Sequence, residues 1–220
     1  MVLMTSVLAL FCHIYSLGGA DGQNRQFHTL FLFQLMGLNI AFLTGDLFNL
    51  FVAFEVLLIA SYGLLLHGGG TVRTVPGLHY VVLNLVGSSI FLISVGMIYS
   101  VTGTLNMADL AVKIPQVSAE QLPLVKAGGM MLLVVFGLKA AILPLCFWLP
   151  KAYAAATAPV AALFAVMTKV GIYAILRVYT LVFGDNAGEL ANLGMDWLFP
   201  LALITLAMGV IGDIGAANLR

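Results

Sequence analysis

Seven long apolar stretches divide the chain, and shorter segments between them hold most of its charged residues. The stretches run over residues 1–17, 27–43, 47–66, 77–101, 127–149, 159–183 and 197–212. Each is close to the ~20 apolar residues that an α-helix needs to cross a bilayer. Apolar residues run continuously within each stretch, which favours helices over the alternating strands of a membrane barrel. The pattern predicts an all-α polytopic transmembrane helix bundle of about seven to eight spans, with residues 1–220 forming a single membrane domain.

The composition narrows the class of protein further. Hydrophobic residues make up 62% of the 220 residues and charged residues only 8%. Soluble domains carry ~25% charged residues because their surfaces face water, so a soluble enzyme is excluded. The nine basic and nine acidic residues give a net charge of zero, which excludes a nucleic-acid partner. The lipid bilayer is therefore the first partner that we expect.

The first stretch has an alternative interpretation as a signal peptide. Such a peptide begins with a basic segment, whereas the first basic residue here is Arg25, beyond the apolar run. The stretch is therefore interpreted as a membrane span. It is short, as is the last one, and either of the two is open to being a partial span.

The distribution of basic residues predicts the orientation of the chain. The connections that follow the first, third, fifth and seventh stretches carry Arg25, Arg73, Lys151 and Arg220. The alternate connections carry Lys113 and Lys126. Since basic residues are enriched in cytoplasmic loops, we expect a multi-pass protein of the cell membrane whose chain starts on the outer side. The connection 102–126, the longest and most polar, is then expected to be an exposed outer loop.

Three charged residues lie near the middle of the apolar stretches. They are Glu55, Lys139 and Lys169, and each is within about two residues of the midpoint of its stretch. A charge at the centre of a bilayer costs ~2.5–3.5 kcal/mol on insertion scales, so such residues usually have a function. Residues without a function would lie near the ends of spans, where long side chains reach the headgroups.

Two interpretations of these charges remain open. In the first, Glu55 forms a structural ion pair with one lysine and leaves the other lysine without a partner. In the second, the three side chains form a pathway for protons across the middle of the membrane. Burial disfavours an ammonium group and a nearby carboxylate favours it, so a lysine between these two effects can gain or lose a proton as the distance changes.

Two prolines predict a break near one of the lysines. Pro144 lies five residues after Lys139, and in a continuous helix its missing N–H would leave the carbonyl of Ala140 unpaired. Pro150 follows at the end of the same stretch. We therefore expect the stretch 127–149 to bend or break, either as a simple kink or beside a water-filled cavity.

Other residues predict the starts of helices. Pro76 and Pro159 are placed at the first turn of their helices, where a missing N–H costs little. Asp46 precedes its stretch and is expected to cap that helix.

Two further residues are accessory candidates for a proton path. Arg177 lies eight residues beyond Lys169 and would either line the exit or reach the headgroups. His79 is the second, because histidine is a residue type that suits proton transfer. The four histidines and two cysteines lack the spacing of zinc, haem or iron–sulfur ligands, so we expect no metal and no cofactor.

Two segments resemble a known family of transporters. TGDLFNLFVAFEVLLIASY at 44–62 resembles the fifth helix of the D subunits of Mrp-type multisubunit Na+/H+ antiporters. The segment 137–177, from GLKAAILPLCFWLPKAY to AILR, resembles their broken seventh helix and their eighth helix. The wider family contains the antiporter-like subunits of respiratory complex I and of membrane-bound hydrogenases. The resemblance extends over nearly all of this chain.

The resemblance implies a function and a set of residues. In the family a glutamate and two lysines at these places form the proton-translocation axis, and they match Glu55, Lys139 and Lys169. It also implies transport of H+ and Na+, or another monovalent cation, together with other subunits of a hetero-oligomeric complex. The chain would then be a transporter subunit, not an enzyme, and would cover about the third to the tenth of fourteen helices. A proton-pumping subunit of complex I or a hydrogenase, and a structural subunit, remain the alternatives.

Overall fold

The structure is a computed structural model that describes residues 1–19, 26–67 and 69–215. The positively charged residues Arg25 and Arg220, which contribute to the predicted orientation, lie outside the described residues. Within this part the chain forms nine α-helices and two short 3₁₀ turns. The α-helices are α1 Val2–Ser16, α2 Phe27–Leu43, α3 Leu47–Leu65, α4 Thr71–Thr102, α5 Met107–Lys113, α6 Leu122–Ala140, α7 Leu149–Ala155, α8 Ala158–Leu181 and α9 Met195–Ile214.

The described residues contain no β-strand, and the predicted all-α class is confirmed. Five segments are long and apolar enough to cross a membrane. They are Leu47–Leu65, Arg73–Thr102, Leu122–Ala140, Ala158–Leu181 and Gly188–Ile214. α1 and α2 are shorter apolar helices. The chain is therefore a polytopic helical membrane protein.

Three helices test the predicted helix starts at Asp46, Pro76 and Pro159. The Asp46 carboxylate accepts hydrogen bonds from the N–H groups of Phe48 and Asn49, at 2.8 and 2.9 Å, and caps α3 as predicted. Pro159 lies in the first turn of α8, also as predicted. The prediction for Pro76 is wrong, because α4 begins at Thr71 and includes this proline in its interior. The apolar pattern did not reveal the earlier start, since the added turn is less apolar than the rest.

The predicted break after Lys139 is present. α6 ends at Ala140, and Ala141 takes a left-handed conformation with φ of 55° that turns the chain out of the helix. Helix resumes only at Leu149, at the start of α7, with Pro150 in its first turn. Because α6 also starts earlier than the apolar stretch, the expected position of Lys139 at the middle of its helix is wrong. It is the penultimate residue of α6, directly before the break.

The connection between α4 and α6 is more ordered than an exposed loop. It contains α5, whose Met107 and Leu110 are buried, and a 3₁₀ turn with buried Ile114. Its start is joined to the start of α3 by two backbone hydrogen bonds, from Leu47 N to Leu105 O and from Met107 N to Gly45 O. The expectation of an exposed outer loop is therefore corrected: apolar residues spaced along the segment fold it back onto the bundle.

Close packing of α8 on α6 fixes the position of the break. A Cβ atom on Gly171 of α8 would lie 2.5 Å from the backbone nitrogen of Ala140 and 2.8 Å from the carbonyl carbon of Lys139. Contacts this short are possible only for a residue without a side chain. Gly171 therefore lets the two backbones approach at the end of α6 that carries the buried lysine.

Candidate functional site

A cluster of polar side chains connects α3, α4 and α6 in the interior of the bundle. Lys139 Nζ of α6 donates to Asn84 Oδ1 of α4 at 3.1 Å. Ser88, one turn further along α4, donates its hydroxyl to the Glu55 carboxylate of α3 in a short hydrogen bond. We call Glu55, Asn84, Ser88 and Lys139 the central cluster. Two of the three predicted charged residues thus contact the same helix, α4.

The surroundings of Lys139 are apolar apart from this cluster. Its side chain is 4% exposed, and its Nζ lies 5.6 Å from the centroid of the Phe54 ring, within the range of a cation–π contact. On the α4 side, a Cβ atom at Gly87 would lie 4.0 Å from Lys139 Cε and only 2.7 Å from Leu138. The small residue between Asn84 and Ser88 therefore makes room for Leu138, the neighbour of the lysine in α6.

Glu55 and Lys139 do not meet as a contact ion pair. Within the described residues, no nitrogen–oxygen distance between them falls within the 4.0 Å that defines a salt bridge. Each charged group is held by a neutral side chain of α4, and Asn84 and Ser88 are 2% and 8% exposed. The simple structural ion pair that the sequence left open is thus not the arrangement found.

Lys169 lies apart from the central cluster. It is exposed on α8, and its Nζ donates to Thr168 Oγ1 at 3.4 Å. The family resemblance implies that Lys139 and Lys169 belong to one proton-translocation axis. The described structure instead directs Lys169 to a surface of the bundle, whereas the neighbouring Thr168 is buried.

Arg177 also lies outside the central cluster. It is half-buried, and its Nη1 contacts the Tyr173 hydroxyl at 2.6 Å and the Phe42 carbonyl at 3.4 Å. The guanidinium also lies over the Tyr173 ring, at 5.8 Å from its centroid. These contacts place Arg177 at the end of α2, where it supports the packing of α8.

The histidines do not join the central cluster either. His79 is exposed on α4, and its ring meets that of Phe147 at 6.2 Å. The rings of His13 and His28 meet edge to face at 5.0 Å, at the ends of α1 and α2 that are close together. Across the described ranges, no three His, Cys, Asp or Glu side chains come together in a way that would hold a metal ion.

The break beside Lys139 is stabilised by two side chains. Trp148 is buried, and its Nε1 donates to the carbonyl of Leu138 at 3.0 Å. The N–H of Leu143 donates to Thr205 Oγ1 of α9 at 2.9 Å. These bonds satisfy backbone and side-chain groups where the regular pattern of α6 has ended. The non-helical segment is therefore a defined conformation.

Two clefts lie on the α9 side of the break. The larger, about 580 Å³, lies between α6, α8 and α9, and Ala140, Ile142 and Asp213 contribute to its lining. The second, about 340 Å³, is lined by Leu143 and Pro144 among others. Both linings are predominantly apolar, so neither cleft resembles the water-filled cavity that was one of the two alternatives for the break. Neither cleft is lined by a member of the central cluster.

Sequence reasoning missed the two neutral members of the central cluster. Asn84 and Ser88 are four residues apart and therefore share a helix face, which is a recognisable signal in an apolar stretch. The same stretch also contains Ser89 and Ser94, whose described hydroxyl contacts are to carbonyls of their own helix. The polar residues of the stretch therefore did not single out Asn84 and Ser88. Only the packing of α3 and α6 against α4 separates the two kinds of polar residue.

The fold and the cluster define a polytopic helical membrane protein with charged residues held between its helices. The chain belongs to the NADH:quinone oxidoreductase/Mrp antiporter transmembrane family, whose model matches residues 44–220. This match includes every member of the central cluster as well as Lys169.

Named relatives and a solved structure support the same family. The chain is 53% identical over 216 residues to the D subunit of a probable K(+)/H(+) antiporter of Rhizobium meliloti (strain 1021), covering 98% of this chain and 40% of that protein. It is 46% identical over 222 residues to the D subunit of the Na(+)/H(+) antiporter of Bacillus subtilis (strain 168), covering 99% and 44%. In the structure of the Mrp complex from Dietzia sp. DQ12-45-1b, one chain matches with a TM-score of 0.79 and 33% identity, over 96% of this chain and 39% of that one. The chain thus spans about two-fifths of the length of these relatives.

Proposed function

We propose that this chain is part of a membrane subunit of a monovalent cation/proton antiporter, and that Glu55 and Lys139 move protons within it. The observation that carries the proposal is the buried lysine of the central cluster, held by Asn84 opposite a carboxylate. A buried charge of this kind is costly and typical of proton pathways. The antiporter names of relatives at 46% and 53% identity favour this function over a role in a respiratory enzyme.

The proposed mechanism uses the location of each charged group. The negative charge of Glu55 favours the protonated form of Lys139, and apolar surroundings favour the neutral form. A change in their separation therefore makes the lysine take up or release a proton. Lys169 receives or supplies that proton from its exposed position on α8, and the break after α6 allows the intervening segment to adjust.

The proposal extends to the membrane and the partners. The chain crosses the cell membrane several times and starts on its outer side, as the distribution of basic residues favours. Other subunits of a hetero-oligomeric antiporter complex assemble with it. The transported ions are H+ and a monovalent cation, with Na+ implied by the family resemblance, while one relative is named for K+.

The experiment uses the complete subunit, assembled in its membrane complex, in inverted vesicles with a fluorescent ΔpH probe. Lys139→Ala and Glu55→Ala are expected to abolish cation-dependent proton movement while assembly is unchanged. The control for the lysine is Lys126→Ala, because Lys126 is an exposed lysine at the other end of the same helix α6. Normal antiport by both cluster variants, at normal protein levels, would contradict the proposal.

A charge swap separates proton movement from a structural role. The double variant Glu55→Lys with Lys139→Glu retains one charge of each sign in the central cluster. A structural pair tolerates the swap, and transport would then continue. A proton path requires the carboxylate beside Ser88 and the ammonium group beside Asn84. If the two residues form such a path, the swap abolishes transport although the complex still assembles.

A further inference from the structure

One face of α4 carries a side chain for each charged group of the central cluster. Asn84 and Ser88 are one helical turn apart, a rise of about 6 Å along the axis. Asn84 contacts the ammonium group of Lys139, and Ser88 contacts the carboxylate of Glu55. Both lie in the bundle interior, in apolar surroundings where a charge without a polar contact is strongly disfavoured.

The orientation of the Asn84 amide is set by a second hydrogen bond. Its Nδ2 donates to the Tyr80 carbonyl of the preceding turn at 2.9 Å. This bond uses the donor end of the amide within α4, so the oxygen end points to α6 and accepts from Lys139 Nζ. Asn84 thus presents an acceptor of fixed position that carries no charge.

Ser88 is a hydrogen-bond donor to its charged partner, whereas Asn84 is an acceptor from Lys139. Its hydroxyl donates a hydrogen bond to the Glu55 carboxylate. The adjacent Ser89 is exposed and donates to the Leu85 carbonyl of its own helix, at 3.0 Å. Among the described contacts of these two consecutive serines, that of Ser88 reaches a charged group and that of Ser89 does not.

We propose that Asn84 and Ser88 are positioning residues for proton exchange. They hold the ammonium group and the carboxylate on separate turns of α4, and this separation prevents Glu55 and Lys139 from collapsing into a contact ion pair. A contact pair would fix the proton on the lysine, whereas a lysine held apart from the carboxylate can release its proton and take it up again. This inference rests on the proposed function and deepens it.

The groups around Lys139 allow the positioning role to be tested through the pH dependence of transport. Of the helices packed against the end of α6, α3 contributes the titratable Glu55, α4 the uncharged Asn84, and α8 the side-chain-free Gly171. A change at Asn84 therefore alters the balance between the two protonation states of one identifiable lysine.

The first experiment compares Asn84→Leu with Asn84→Asp in the complete, assembled subunit, with transport measured across pH. Asn84→Leu removes the acceptor, and we expect the alkaline limb of the profile to move to lower pH by about one unit, the equivalent of a tenfold change. Asn84→Asp retains the acceptor oxygen and adds a negative charge, so the limb moves to higher pH. Shifts in the same direction, no shift, or total loss of transport in Asn84→Asp would overturn the inference.

The second experiment uses the two consecutive serines. Ser88→Ala removes the donor to Glu55, and hydrogen bonds to charged groups are worth on the order of a tenfold change or more in an equilibrium. We expect transport at neutral pH to fall by about that factor, with partial recovery in Ser88→Thr, which retains a hydroxyl. Ser89→Ala is the matched control and retains normal transport. Equal effects of Ser88→Ala and Ser89→Ala would overturn the role of Ser88.

A parallel measurement separates this inference from the proposed function. If Lys139→Ala retains antiport, the proposed function fails, whatever the variants at Asn84 and Ser88 do. If Lys139→Ala abolishes antiport but both α4 positions are neutral, only the positioning role fails.

Discussion

Gly171 offers a quantitative test of how the end of α6 is held. In Gly171→Ala, the new methyl group meets backbone atoms of Lys139 and Ala140, the closest at 2.5 Å. Ordinary van der Waals contact begins at 3.4 Å, so α8 and the end of α6 must separate by about 0.9 Å. Backbone atoms cannot rotate away as a flexible side chain does, so the whole contact has to open.

The magnitude follows from this separation. Overpacking of a well-packed interior costs about 1–3 kcal/mol, which corresponds to a lower melting temperature by about 2–4 °C per kcal/mol. The same shift moves the backbone that carries Lys139, whose hydrogen bond to Asn84 is 3.1 Å long. If the movement is along this bond, the distance rises to about 4 Å and the bond is lost. A misplacement of about 1 Å at a reacting group reduces a rate by up to ~100-fold.

The assay combines two measurements on the complete subunit. Thermal stability is read as the temperature at which half of the detergent-solubilised protein leaves the monodisperse peak in size-exclusion chromatography, and antiport is measured in vesicles. Gly96→Ala in α4 is the matched control, because a Cβ atom there has no described neighbour within 4 Å. Normal stability and normal antiport in Gly171→Ala would refute the reasoning, as would equal damage in Gly96→Ala.

Two further substitutions test single hydrogen bonds. Asp46→Ala removes the cap that accepts hydrogen bonds from two N–H groups of α3, and we expect thermal unfolding to show a stability lower by about 1 kcal/mol. Asp46→Asn should remain close to the parent, because Asn is an equally good cap. Equal losses in both variants would contradict the capping role. Thr205→Val retains the shape of the side chain but removes the acceptor for the Leu143 N–H. We expect it to lower the stability by about 1–3 kcal/mol in the same thermal-unfolding assay. The control is Thr180→Val, where an exposed hydroxyl bonds only to its own helix; a loss there as large as in Thr205→Val would remove the support for a specific bond at the break.

The sequence predicted those features that depend on local pattern. The cap at Asp46 and the position of Pro159 follow from helix-end chemistry that involves only a few neighbouring residues. The break near Pro144 was predictable for the same reason, because proline cannot continue the hydrogen-bond pattern of a helix. The position of Lys139 was not, since counting apolar residues across the break hid the end of α6 at Ala140.

Features that depend on which helices meet could not be predicted from the chain alone. Lys139 and Lys169 have the same chemistry and lie in similar apolar stretches, yet one is buried and the other exposed. The difference arises from the face of each helix that the neighbouring helices cover. Asn84 and Ser88 were missed for the same reason. They share one face of α4, but the sequence does not show that the helices facing it carry Glu55 and Lys139.

The two backbone hydrogen bonds that join the connection 44–46 to the start of α5 have a mechanical consequence. They bind Gly45 and Leu47 to the segment that follows α4, so the beginning of α3 is held next to the end of α4. Glu55 and Ser88 lie on these two joined helices, α3 and α4. Lys139 belongs to a helix that stops one residue later, beside a segment without regular hydrogen bonding. The carboxylate thus lies on helices joined by backbone hydrogen bonds, whereas the lysine lies at the end of its helix, next to the non-helical segment.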